Sequence, residues 1–376
     1  MRFHIRLQGM IVLFALVNVA HAQSSITLYG VVDNGLYYQR TSASSFLPTA
    51  RDNGVVWQDK DAGLYASFWG LKGIEDLGGG YKINFKLQNA YNSTSGNFQL
   101  GDRTGVIAIF NQIATVGVSG QFGSFDIGRQ YAPMVYAMVD TDARSGVYFG
   151  SILTAWLSMN HSAGWIGQNS NLPIGALFDS NSLVYQSPKL LGTTLMLEYS
   201  AGGVPGQIQG GSRESAVLKF SNYGLNVSAV FYNGHDTNPT ATTVPTGLDN
   251  NRFYYLGAMY RYAGASISAS YAAGRNPSDS VRANIEMISG GVGYQFTPWF
   301  VVTSGYYYLQ DRNNTANHSG EYSIGANYFM SRQTTTYLQV AYVGNKGTMN
   351  QWIAYGEPVA PGVSTTAVMV GIRHSF

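Results

Sequence analysis

The feature that most restricts the fold of this chain is a strict two-residue alternation of apolar and polar side chains. It is clearest over residues 81–91, whose sequence is YKINFKLQNAY. Successive side chains of a β-strand point to opposite faces, so one face of this run is apolar and the other is polar. A strand of this kind suits a sheet with lipid on one side and water on the other.

The same alternation recurs along most of the chain, in about 16 short runs, an even number as expected for a bacterial outer-membrane barrel. Short turns and long polar connections alternate between the runs, which is also typical of such barrels. The last run ends on Phe376, and we expect it to pair with the run starting at Ser25, because a closed barrel leaves no free edge. The predicted runs are 25–33, 64–73, 81–91, 106–120, 123–130, 182–187, 193–200, 214–222, 225–233, 252–262, 265–274, 284–296, 299–311, 321–329, 334–344 and 365–376.

Composition supports this interpretation. Charged residues make up 11% of the chain, against about 25% in soluble domains. After the N-terminal leader no apolar run is long enough for a membrane helix, and a closed barrel is the other structure that satisfies every backbone group in lipid. The sequence therefore predicts an all-β fold, a transmembrane antiparallel up-and-down β-barrel. A soluble all-β protein is the alternative.

The N-terminus is typical of an export signal. Arg2, His4 and Arg6 precede a short apolar stretch, and Ala20-His21-Ala22 forms an A-x-A cleavage site. We therefore expect a signal peptide at 1–22 and one barrel domain at 23–376.

One long segment, 131–180, interrupts the strand rhythm. Loops longer than about 12–15 residues are usually functional, and we expect this one to fold into the bore and narrow it. Its charged candidates are Asp140, Asp142, Arg144 and Asp179. Its aromatic residues, among them Tyr136 and Trp156, either anchor the segment to the wall or line an apolar path for solutes.

Strand parity places four basic residues on the polar face: Lys72, Lys82, Lys86 and Arg373. We expect them to form one basic stripe on the wall. Opposite an acidic loop, such a stripe gives a transverse field across the bore. The alternative is that these charges pair with their neighbours. Arg129 lies where strand becomes loop, and its direction is ambiguous.

Other chemistry has little support. The chain has no cysteine, and its six histidines lack metal-ligand spacing. His235-Asp236 and Asp140-Thr141-Asp142 are more typical of solvated loop charge than of a cation site. Ser158 and His161 are the candidate pair for a barrel enzyme. A net charge of +2 gives no global field for nucleic acid. We therefore expect no metal, no cofactor, no enzyme activity and no nucleic-acid partner.

Six stretches carry a family resemblance: 25–33 (SITLYGVVD), 69–80 (WGLKGIEDLGGG), 116–123 (VGVSGQFG), 128–133 (GRQYAP), 181–188 (NSLVYQSP) and 371–376 (GIRHSF). With them the chain resembles the general trimeric porins of β-proteobacteria, of the Neisseria, Comamonas and Burkholderia type. The resemblance implies a 16-stranded homotrimer in the outer membrane, in contact with lipid and lipopolysaccharide, with the third outer loop in the lumen. It also implies that Phe376 is a signal for the barrel-assembly machinery.

The function implied is passive diffusion of small hydrophilic solutes and ions through a water-filled channel. Alternatives are a substrate-specific channel for neutral or aromatic solutes, and an adhesin whose loop 239–245 binds a surface. Three positions depart from the family pattern. Phe68, Gln112 and Val184 stand where the family often has basic residues, so the sequence leaves charge selectivity, pore radius and solute preference open.

Overall fold

The described part of the chain forms 17 β-strands and two short helices. The computed structural model describes residues 25–99, 101, 107–165, 167, 170, 172–237, 247, 250–276 and 283–376. The predicted signal peptide and the loop 239–245 lie outside these residues. The strands are β1 (Ser25–Ala43), β2 (Asp52–Asp61), β3 (Ser67–Gly78), β4 (Tyr81–Tyr91), β5 (Ile113–Gly120), β6 (Gly123–Tyr131), β7 (Phe178–Gln186), β8 (Thr193–Ser200), β9 (Arg213–Asn222), β10 (Leu225–His235), β11 (Asn250–Tyr262), β12 (Ala265–Arg275), β13 (Asn284–Thr297), β14 (Phe300–Asp311), β15 (His318–Phe329), β16 (Thr334–Lys346) and β17 (Thr365–Ser375). The helices are α1 (Pro133–Asp140) and α2 (Ile152–Ser162).

Sixteen of these strands form a closed antiparallel ring. Each strand from β3 to β17 pairs with the next, and β17 returns to β1 with Val31 opposite Ser375. Phe376 extends the closure, because its backbone N–H and C=O both bond to Gly30 at 3.0 Å. The predicted barrel and its closure by the last strand are confirmed.

The strand outside the ring is β2. The first half of β1, Ser25–Val31, pairs with β3, whereas β2 covers the same edge of β1 from Asn34 to Ala43. The sequence prediction assigned residues 39–62 to a polar loop, and this was wrong. The pairing changes register between Gln39 and Ser42, and such an irregularity breaks the two-residue alternation by which strands are recognised.

The start of β5 also differs from the prediction, which began that strand at residue 106. Residues 107–112 are not in a strand. Phe110 has a φ of 62°, a left-handed conformation that ends regular pairing. The Asn111 amide then bonds to both the N–H and the C=O of Ala90, at 2.8 and 2.9 Å, and takes the place of a strand partner.

Strand parity separates an apolar outer face from a polar inner one, as predicted. Ile26 and Leu28 are 70% and 59% exposed, whereas Asp33 on the opposite face is fully buried. Phe85 pairs with the exposed Val116, and Lys86 pairs with Lys72. None of the helices among the described residues is long and apolar enough to span a membrane. Exposed aromatic rings gather beside the short turns: Tyr81, Phe122, Tyr223, Tyr262, Phe296, Trp299, Tyr328 and Phe329.

Short and long connections alternate around the ring. At Tyr223-Gly224 both residues have positive φ, 53° and 77°, the geometry of a two-residue hairpin turn whose twist matches the strands. The opposite end carries the long connections, of which 132–177 is the longest.

The long segment contains α1 and α2, which the sequence analysis did not predict. Every residue of α2 from Ile152 to His161 is buried, so the helix has no polar stripe and no amphipathic period to recognise. Ser151 caps it by accepting a bond from the Leu153 N–H at 3.1 Å. Pro133 starts α1, where its missing N–H costs nothing.

Candidate pore and its lining

Arg144, between the two helices, ties the long segment to the wall. Its guanidinium donates to the carbonyls of Phe149 (2.7 Å) and Gly150, and to Gln339 Oε1 on β16 at 2.6 Å. A further bond reaches the Thr303 carbonyl on β14 at 3.3 Å. The side chain is 2% exposed, and burial lowers the pKa of Arg144. The planar fork of donors suits this role as a clamp.

Asp142 is the second attachment. It accepts bonds from Tyr307 Oη on β14 at 2.8 Å and from the Gly146 N–H at 3.0 Å. Burial raises the pKa of the Asp142 carboxyl above its usual range. Its partners are a phenol and backbone amides, so this carboxylate faces wall and loop groups rather than open water.

The other two predicted loop carboxylates are also held by the wall. Asp140 forms an ion pair with Lys219 on β9. Asp179 lies within β7, fully buried, and pairs with Arg213 at 2.9 Å. The expectation that the loop acids face the lysines of β3 and β4 is therefore corrected. Their cations come from β9, which sequence spacing alone could not indicate.

Of the segment's aromatic side chains, Trp156 is an anchor. It is fully buried, donates from Nε1 to the Ile174 carbonyl at 3.0 Å, and packs edge-on against Phe253 of β11. Tyr136 is 43% exposed, and burial of the rest of its ring raises its pKa to about 12. Tyr136 thus differs from the anchors by presenting part of its ring to open space.

Lys72 and Lys86 are directly opposite one another on β3 and β4. Their Nζ atoms lie 5.2 and 5.7 Å from the centroid of the Tyr29 ring on β1. Lys82 faces the same way, four residues along β4, opposite Asp76. These three lysines share the inner face, as parity indicates.

Arg373 is not part of that row. It pairs with Asp33 on β1, whereas Lys72 pairs with Thr27, and six residues along a strand span roughly 20 Å. The prediction of one four-residue stripe is therefore wrong, because β1 offsets the register of its two neighbours.

Arg373 instead lines a second basic region. With Arg144 and Arg261 it borders a cavity of about 540 Å³, and none of the described residues that line this cavity is a carboxylate. Its guanidinium lies 5.7 Å from the ring centroid of Tyr65. The sequence analysis missed Arg261, although it shares its strand face with the buried residues Tyr255 and Met259, so alternation could have found it.

Arg129 turns toward the long segment. It donates to the Asn111 carbonyl at 2.6 Å and to the hydroxyls of Ser180 and Ser170, both at 2.8 Å. Gly128 precedes it with a φ of 128°, and the β6–β7 register shifts between Gly128 and Gln130. This bulge redirects the side chain that parity left ambiguous.

Of the three positions that depart from the resembled pattern, Phe68 and Gln112 contact aromatic or neutral groups, whereas Val184 pairs across strands with Asp126 and Glu198. Phe68 packs edge-on against Tyr29, with ring centroids 5.9 Å apart. Gln112 accepts a bond from Gln88 Nε2 at 2.6 Å. Val184 is buried.

A polar node beside β1 was not predicted. Asp33 accepts bonds from the N–H groups of Gly63, Leu64 and Tyr65 at 2.8–3.2 Å, and from Tyr337 Oη at 2.7 Å. It thereby fixes the chain where β2 ends. Its partners lie 30 to 304 residues away, beyond the reach of local patterns.

An outer cavity of about 430 Å³ lies between β2, the long segment and the connection before β17. Its walls carry Phe46 and Trp165, together with an ion pair between Lys60 and Glu357 at 3.0 Å. Lys60 also bonds to the Tyr355 carbonyl at 2.7 Å. This arrangement combines flat aromatic surface with hydrogen-bonding groups.

Ser158 and His161 do not form a nucleophile pair. Ser158 donates to the Thr154 carbonyl at 2.8 Å and accepts from the Trp352 N–H at 3.2 Å. His161 Nδ1 lies 2.6 Å from the Trp165 carbonyl, and its ring stacks on Phe46. Burial lowers the pKa of His161 to about 3, so the ring is neutral.

A closed ring of antiparallel strands that is apolar outside and polar within defines the class of outer-membrane channel barrels. The Gram-negative porin family matches residues 9–348. The chain belongs to this family, and the predictions of a porin, of an outer-membrane location and of a channel rather than an enzyme are confirmed.

Relatives extend over nearly the whole chain. An outer membrane porin protein of Bordetella pertussis is 25% identical over 95% of this chain and 96% of its own. Outer membrane porin protein 32 of Delftia acidovorans is 25% identical over 95% of each chain. Among solved structures, the anion-selective porin from Comamonas acidovorans has a TM-score of 0.77 at 23% identity, covering 94% of this chain and 100% of that one. The trimer form of OmpT from Vibrio cholerae has a TM-score of 0.64 at 13% identity.

Proposed function

We propose that the chain forms a water-filled channel for passive diffusion of small hydrophilic solutes and ions, narrowed by residues 131–180. The observation that carries this is the attachment of the segment to inner-face side chains on strands far apart in the ring. Arg144 reaches β14 and β16, and Asp140 reaches β9. A segment fastened to both of these parts of the wall crosses the interior. Charge and radius at such a constriction set what passes.

Single cysteines test this proposal, because the chain has none of its own. Tyr136→Cys, in the segment, reacts with a charged thiol reagent while single-channel current is recorded in a planar bilayer. We expect a stepwise fall in current, since Tyr136 presents part of its side chain to open space. Ile324→Cys is the matched control, because it is 50% exposed on the outer face of β15. Modification at 136 that leaves the current unchanged would place the segment outside the conducting path.

The basic side chains Lys72, Lys82, Lys86, Arg129 and Arg373 are proposed lining residues of this channel. The three acids expected to oppose them, Asp140, Asp142 and Asp179, all bond to side chains of the wall. Those acids therefore do not neutralise Lys72 and Lys86, whereas Asp76 is the cross-strand partner of Lys82. The Comamonas relative is described as anion-selective, and we propose the same direction here. A reversal potential in a KCl gradient that favours K⁺ would contradict it.

A second candidate is a substrate-specific channel for neutral or aromatic solutes, which the aromatic outer cavity favours. A saturable, concentration-dependent block of current by such a solute, weakened by Phe46→Ala, would support it. Linear, solute-independent conduction favours the general channel.

We further propose a homotrimer in contact with outer-membrane lipid and lipopolysaccharide, inserted by the barrel-assembly machinery through Phe376. Support comes from the family resemblance and from the trimeric OmpT form among the fold relatives. Chemical crosslinking in membranes followed by denaturing electrophoresis should give a ladder that ends at three copies.

A further inference from the structure

Two lysines lie opposite each other on β3 and β4, and the fold itself does not require two like charges at this position. Lys72 and Lys86 occupy the same cross-strand position, where side chains approach to about 5 Å and like charges repel. In the part of the chain that the structure describes, neither lysine forms an ion pair with a carboxylate. The flanking cross-strand partners are the neutral Thr27 and Thr115.

One aromatic ring lies close to both ammonium groups. Both Nζ atoms lie within 6 Å of the Tyr29 ring centroid, close enough for cation–π attraction. Tyr29 Oη donates to Gln88 Oε1 at 2.9 Å, and Gln88 in turn donates to Gln112 Oε1 at 2.6 Å. This chain of bonds orients the ring without adding charge. The ring gathers both cations and leaves their N–H donors available.

We propose that Lys72 and Lys86 form a binding site on the channel wall for a small doubly charged oxyanion, such as a dicarboxylate or hydrogenphosphate. Ammonium donors form short charge-assisted bonds to such oxygens, and a dianion neutralises both lysines at once, which a single acetate or chloride does not. Tyr29 and Gln88 supply the rigid floor of the site. This inference deepens the proposed channel function and rests on it.

The charges of the site do not come from the positions by which the chain departs from its family. Phe68 and Gln112 lie beside it but carry no charge, and Gln112 contributes only the bond that holds Gln88. The cations are instead concentrated on one cross-strand pair. An anion that moves along the wall therefore meets a local binding site, in addition to any electric field across the bore.

The test measures block of chloride current by added dianion in planar bilayers. Succinate and inorganic phosphate are the probes, and acetate is the singly charged comparison. For the unmodified chain we expect half-block by the dianions at a concentration at least tenfold below that of acetate. Lys86→Gln and Lys72→Gln should each abolish this tenfold preference, and Lys86→Arg should retain it within about twofold, because it keeps the charge.

Lys189→Gln is the control for removal of one positive charge, since Lys189 lies in the short turn between β7 and β8, away from the pair. The dianions should block the chloride current of Lys189→Gln at the same concentration as that of the unmodified chain. Equal block in Lys86→Gln and the unmodified chain would overturn the site, as would equal loss in Lys189→Gln. Conductance in KCl alone separates the two proposals. Open channels that show no preference for dianions refute the binding site but not the channel function. Absence of conductance in every variant refutes the channel function.

Discussion

At the scale of single residues, the long segment depends most on Arg144, whose five hydrogen-bond acceptors belong to two wall strands and to the segment itself. Arg144→Met keeps the length of the side chain but leaves buried carbonyls unpaired. Each orphaned group costs about 1–3 kcal/mol, so we expect a clear fall in the temperature at which the barrel loses its folded band on a semi-native gel. The control Arg51→Met, at an exposed site, should leave that temperature unchanged. Equal shifts in both variants would contradict the role of Arg144 in holding the segment to the wall.

His161 gives the segment a dependence on pH. Its pKa falls from 6.5 to about 3 on burial, so the folded chain binds fewer protons than the unfolded chain between those values. The stabilisation is complete above pH 6.5 and is lost as pH falls toward 3, at about 1.4 kcal/mol per pH unit.

The substitution His161→Phe keeps a flat ring against Phe46 but does not titrate. We expect the melting temperature of the unmodified chain to fall more steeply between pH 7 and 4 than that of His161→Phe. The comparison concerns slopes, since the variant also loses the contact with the Trp165 carbonyl. Parallel slopes would show that His161 is not the titrating group.

At the scale of elements, β1 has three strand partners, and Asp33 lies where one edge of β1 changes its partner from β3 to β2. Asp33→Ala leaves the N–H groups of Gly63, Leu64 and Tyr65 without their acceptor, and we expect β2 to detach. Trypsin cleavage after Lys60, which is 8% exposed, should then accelerate at least tenfold relative to cleavage at the exposed Arg51 in the same molecule. Asp76→Ala, which removes a bond to the Gly78 N–H at the end of β3, should not change that ratio.

The two-residue alternation of apolar and polar side chains predicted the strands that have one water-facing and one lipid-facing side. It failed for elements that lack this contrast. Ile26 and Asp33 were assigned to opposite faces, and the structure exposes the first and buries the second, because lipid and water select different side chains. Helix α2 was missed because it is buried all round. The Asp142–Tyr307 bond was missed because 165 residues separate its ends, and only the closed ring brings them together.

At the scale of the whole molecule, the barrel depends on a closure that must accommodate the last residue of the chain. Phe376 forms both of its backbone bonds with Gly30, and its ring lies over that glycine. A Cβ at Gly30 would come 2.4 Å from Phe376 Cζ and 2.8 Å from the Phe68 carbonyl oxygen. Gly30 is not in a left-handed conformation, so contact with its neighbours, and not backbone strain, excludes a larger residue.

Gly30→Ala should therefore weaken closure, because the ring of Phe376 has to leave the seam between β1 and β17. We expect slower recovery of the folded band during refolding in detergent, and a lower melting temperature. Gly290→Ala is the matched control, since a Cβ there has its nearest neighbour at 3.6 Å on the same kind of wall strand. Adding Phe376→Ala to Gly30→Ala should restore part of the lost rate if ring and methyl compete for one space. No recovery in the double variant would instead assign the defect to the contact with the Phe68 carbonyl.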